Sequence, residues 1–91
     1  MLDRISVTDS YGDLGQKVWT FWFNDRDTLV LDTYKVQVRA TKRHKWMTQD
    51  LWTRQFARDC TIERPAVPDW VKVQVKADFL AQMESILKVE A

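Results

Sequence analysis

Residues 34–46 read YKVQVRATKRHKW: six basic or imidazole side chains in thirteen residues, interleaved with apolar ones. Successive side chains of a strand point to opposite sides. An extended reading therefore puts Tyr34, Val36, Val38 and Ala40 on one face and Lys35, Gln37, Arg39, Thr41, Arg43 and Lys45 on the other. A helical reading scatters the same cations around a cylinder. The extended reading decides the fold, because a strand with one apolar and one basic side needs a sheet that is packed on one face and wet on the other. Continued backwards, the parity fails, since Leu29 and Leu31 fall on the basic side. Either a bulge or bend near Asp32 and Thr33 restores it, or the first part of the strand is covered on both faces.

Working outward, residues 17–23, KVWTFWF, are β-branched and aromatic almost throughout, as in a strand with both faces partly covered. Asn24, Asp25, Arg26 and Asp27 read as a turn and residues 28–31 resume the strand signal, which together predict a hairpin across 17–46. Residues 4–8 alternate Ile5 and Val7 with polar neighbours and run into the turn-rich DSYGDLG of 9–15, so a short strand and a loop are expected there.

Residues 47–60 read two ways. As a helix, Thr48 caps a stripe of Leu51, Trp52, Phe56 and Cys60; as a strand, Trp52, Arg54 and Phe56 alternate with Leu51, Thr53 and Gln55. The abundance of Met, Gln, Leu, Arg and Ala favours the helix.

The RPAVP of 64–68 is an extended connector, because prolines lack a backbone donor and push the preceding residue out of helical space. Asp69 then caps a final helix whose apolar stripe is Val71, Val75, Phe79, Leu80, Met83, Ile86 and Leu87. The alternating WVKVQVK of 70–76 is a counter-signal that would delay the helix to near Ala77. The expected whole is one domain, residues 1–91, of α+β class: a small antiparallel sheet of three or four strands packed against a C-terminal helix.

A chain of 91 residues buries a modest share of its surface, so its stability rests on large side chains. Five Trp, four Phe and two Tyr supply them, and only two Gly and two Pro argue against disorder. The single cysteine, Cys60, allows no intramolecular disulfide and suits a reducing compartment. The first residues lack a basic segment followed by an apolar stretch, and no run is long enough to span a bilayer. A cytoplasmic protein with no membrane contact is expected.

Several chemistries find no support. His44 is the only histidine and Cys60 the only cysteine, whereas a structural zinc site takes about four such ligands, so neither a metal nor a cofactor is expected. Ser6, Ser10 and Ser85 lie in no nucleophile-elbow context. The Gly-Asp-Leu-Gly of 12–15 matches a backbone-clamping GxxG loop in letters alone; it carries an acid and precedes a strand, as an ordinary turn does. Asp25 and Asp27 lack the other ligands of a calcium loop. With no recognisable catalytic set, the expectation is not an enzyme.

The charge is unevenly spread. Residues 1–34 hold three basic against six acidic side chains, and residues 35–64 hold eight against three. No acid falls between Asp32 and Asp50. The leading functional expectation is contact with RNA or DNA, with Lys35, Arg39, Arg43 and Lys45 on phosphates, Lys42, Arg54 and Arg58 as rim charges, and Trp46 or Trp52 stacking on bases. Nearly level stands a protein-interaction module, a small adaptor or inhibitor, resting on the surplus of Trp and Arg that marks binding hot spots. Against both, Lys, Arg, Gln and Thr are ordinary residues on a wet sheet face, and a pI near 7.9 is modest for a dedicated nucleic-acid binder. The sequence does not fix the oligomeric state.

Overall fold

A computed structural model describes residues 4–23, 28–60 and 62–90, with side-chain surroundings in the helix described as far as Gln82. Four strands, β1 (Arg4–Ser10), β2 (Gly15–Phe23), β3 (Leu29–Val38) and β4 (Met47–Thr53), form an antiparallel meander in the order β1-β2-β3-β4. A short 3-10 turn (Ala57–Asp59) and the proline connector lead to one helix, α1 (Asp69–Glu90). This is the α+β sheet-and-helix architecture that the alternation implied. The turn expected at Asn24–Asp27 lies outside the described residues.

The register explains the parity failure before Tyr34. Thr20 faces Thr33 and Phe21 faces Leu31, which leaves Asp32 as an extra residue, a β-bulge. The bulge returns Leu29 and Leu31 to the face of Tyr34, Val36 and Val38. Asp32 is held there by the Arg54 N–H on its carbonyl (2.9 Å), while its carboxylate accepts from Arg4 Nε (3.3 Å) and the Thr33 hydroxyl (3.4 Å).

Two strand assignments need correction. Residues 47–53 are the fourth strand and not part of a helix. Helix propensities differ by only a few tenths of a kcal/mol per residue, whereas pairing with the free edge of β3 sets Trp52 opposite Tyr34 and buries it. Burial of an indole is worth about 4 to 6 kcal/mol at about 25 cal/mol per Å². Here β4 carries its own bulge, Gln49, between the pairs Val36–Asp50 and Gln37–Thr48. Phe56, placed on the buried stripe of a helical reading, is exposed.

The second correction concerns β3, which ends at Val38; the extended segment does not continue to Trp46. His44 N–H donates to the Thr41 carbonyl (3.1 Å) and Arg43 N–H to the Thr41 hydroxyl (3.3 Å), closing a turn over 41–44.

The core lies on one side of the sheet, where Ile5, Val7, Trp19, Phe21, Leu31 and Trp52 pack beneath Val71 and Val75 of α1. Trp19 is its centre, with the Tyr34 ring 5.4 Å away and the Trp70 ring edge-on at 6.0 Å. Connector residues Cys60, Ile62 and Val67 pack against the margin of this cluster. The Pro68 carbonyl accepts from Val71 and Lys72 N–H (3.1 and 3.2 Å), so Pro68 stands at the helix start and Asp69 lies in the first turn, one place inside the expected cap.

The alternation at 70–76 does not delay α1, because Val71, Val75 and Phe79 recur at four-residue spacing on the sheet side while Val73 points away, 68% exposed. Leu80, assigned to the packed stripe, is likewise out, 60% exposed. The side chains of Met83, Ile86 and Leu87 lie outside the described residues.

Candidate nucleic-acid interface

The face opposite α1 is built from the alternate residues of the same strands. Ser6 and Thr20 share a hydroxyl hydrogen bond (3.0 Å) and Gln16 Nε2 donates to Gln37 Oε1 (2.7 Å). Lys35 sits mid-sheet, opposite Val18 of β2 and Leu51 of β4. Polar cross-strand pairs of this kind keep a wet face ordered without a covering layer.

Lys35, Gln37 and Arg39 occupy the basic parity as expected. Beyond them the straight row is lost, because the chain turns; Lys42, Arg43 and Lys45 stand on an exposed loop at the end of the sheet. Arg39 has a structural role as well: its backbone N–H donates to the Leu14 carbonyl (3.1 Å) and its Nε to the Asp13 carbonyl (2.6 Å), tying this loop to the β1–β2 turn. Gly12 in that turn has φ +101°, a conformation that L side chains rarely adopt. Lys42 Nζ pairs with the Asp13 carboxylate at 3.1 Å, both groups largely exposed, so the pair is weak and readily exchanged.

The Arg39 guanidinium lies 4.1 Å from the centroid of the half-buried Trp46 ring. Trp52, the other candidate for base stacking, is 3% exposed; it faces the core and offers no free ring. Arg54, expected at the rim, instead lies over Trp22, 5.0 Å from the ring centroid. Arg58 is exposed in the 3-10 turn, beyond β4 from the 41–46 loop.

Trp22 is the residue the sequence reading missed. It shares the parity of Gln16, Val18 and Thr20 and so belongs to the uncovered face, a position that the alternation of 17–23 already contained. Two Arg–Trp stacks, Arg39 with Trp46 and Arg54 with Trp22, thus flank Lys35. The six residue steps from Thr33 in β3, beside Arg54, to Arg39 just past its end span roughly 20 Å, the length of about six phosphate steps along one strand of a duplex.

His44 and Cys60 do not form a pair. The imidazole Nδ1 is 2.6 Å from the Thr41 hydroxyl, and the thiol donates to the Phe56 carbonyl (3.2 Å) while accepting from Thr53 N–H (3.4 Å), with β4 between them. Among the described residues no three His, Cys, Asp or Glu side chains gather as metal ligands, and no helix is long and apolar enough to cross a membrane. On the core side, the Tyr34 phenol is raised above its ordinary value of 10 by burial, then by Tyr11 and Asp50.

Fold and surface together describe a small α+β domain with one packed and one uncovered sheet face. No protein-family model matches the chain, and no curated protein or solved structure is significantly similar to it.

Proposed function

We propose that this chain is a non-enzymatic binding protein that contacts RNA or DNA through the uncovered face of its sheet. The observation that carries the reading is the placement of Lys35 between two Arg–Trp stacks, beside a loop bearing Lys42, Arg43 and Lys45. Cations track a phosphate backbone, and a Trp ring already held flat by a guanidinium is preordered to stack an unpaired base. Lys35, Arg39, Arg43 and Lys45 serve as phosphate contacts, Trp46 and Trp22 as base contacts, and Lys42 and Arg54 as flanking charges. The single cysteine is consistent with a reducing compartment, the cytoplasm in this reading.

Fluorescence anisotropy of labelled single-stranded and duplex oligonucleotides at two salt concentrations tests the reading. Binding that weakens steeply with salt is expected. No binding at low salt removes the reading in favour of a protein partner. That second reading, an interaction module, draws on a specific feature: edge strand β4 exposes Met47 and Leu51, with Phe56 exposed just beyond its end.

A further inference from the structure

We propose that the groove between α1 and β3 binds an amphiphilic anion, an apolar chain ending in a carboxylate or phosphate. Because α1 makes its main packing contacts with β1, part of the core face of β2 and β3 lies open beside it. The opening is a groove of about 510 Å³, within the range of small-molecule sites. Its floor is Phe21, Leu29 and Leu31 from the sheet with Val75 and Phe79 from the helix, and Phe23 closes it by stacking on Phe79 at 4.7 Å.

Three cations, Arg64, Lys72 and Lys76, line the same groove, and among the described residues that line it none is acidic. Lys72 and Lys76 are four residues apart on one helix, where like charges repel. Lys72 Nζ reaches Asp69, fully exposed, only at 4.0 Å, and the Arg64 guanidinium lies 5.9 Å from the Trp52 ring centroid. An apolar trough satisfies no hydrogen bonds of water, and three cations with no acid among the described lining residues favour an anion. A chain with a charged head meets both demands, the head between Arg64 and the two lysines and the tail on the phenylalanines.

This site lies on the opposite side of the sheet from the proposed nucleic-acid interface and stands or falls separately. Titration calorimetry and amide NMR of the full chain test it with dodecanoate, dodecyl phosphate, dodecanol and inorganic phosphate. Saturable binding of dodecanoate or dodecyl phosphate is expected, with the shifts centred on Leu29, Leu31, Val75 and Phe79; preference between the two identifies the head group.

Dodecanol and inorganic phosphate should each bind at least about tenfold more weakly, as should dodecanoate to the K72Q/K76Q variant, whose exposed substitutions leave the far-ultraviolet circular dichroism unchanged. Equal affinity for dodecanol and dodecanoate, unaltered affinity in K72Q/K76Q, shifts confined to the opposite sheet face, or no saturable binding overturns the proposal.

Discussion

The two faces of the sheet are made by the same four strands and differ in almost everything else. On one, Ile5, Val7, Trp19, Phe21, Leu31 and Trp52 are buried against α1. On the other, Ser6 pairs with Thr20 and Gln16 with Gln37 across strands around Lys35, no helix among the described residues lies over them, and the large rings of Trp22 and Trp46 each lie under an arginine. The difference shows how a tryptophan's role is set by strand parity: Trp19 and Trp22 are three residues apart in one strand, yet one builds the core and the other faces outward.

The comparison breaks most sharply through the core. Trp52→Ala should cost about 3 to 5 kcal/mol in urea unfolding, whereas Trp22→Ala, on the uncovered face, should cost below roughly 2 kcal/mol. Equal losses contradict the division of faces and the strand assignment of 47–53 with it.

A charge reversal, K35E/R43E/K45E, leaves the core untouched and should lower the slope of log affinity against log salt by about 2 to 3, one phosphate contact per residue. An unchanged slope in a folded variant places the contacts elsewhere.

Between the faces, the β1–β2 turn is sharpened by Gly12→Ala, which should destabilise by roughly 1 to 2 kcal/mol because its φ is positive. The smallest effect is alkaline. Because the folded state holds the Tyr34 phenol neutral above its ordinary value of 10, the unfolded chain ionises first. The associated stability is complete below pH 10 and declines as pH rises through the raised folded value. Tyr34→Phe should remove that decline in denaturation profiles taken between about pH 9 and 11.

Much of this division was legible in the residues themselves. The alternation of Tyr34, Lys35, Val36, Gln37 and Val38 identified both faces, and the misfit of Leu29 and Leu31 pointed to a bulge at the place where Asp32 supplies it. The end of β3 was hidden because Arg39–Ala40–Thr41 contains no Gly, Pro, Asn or Asp to announce a turn. Strand β4 was hidden for a different reason: its composition is locally helix-compatible, and the strand exists through pairing with β3, a non-local term that propensity does not carry.

The candidate site followed the same split. Lys35 and Arg39 fell where parity put them, Trp52 went to the core with its strand, and Trp22 was available by parity but overshadowed by the denser charges downstream. The groove beside α1 depends on how the helix crosses the sheet, which no local pattern records.

The central claim is that the uncovered face, with Lys35 between the two Arg–Trp stacks, is where a nucleic-acid strand lies. Amide and indole NMR shifts during titration with a short single-stranded oligonucleotide test it most directly. The account predicts shifts at Lys35, Gln37, Arg39, Arg43 and the indoles of Trp22 and Trp46, with Trp19 and Trp52 unmoved. Shifts centred on α1 at Val73 and Leu80, or none at low salt, contradict it.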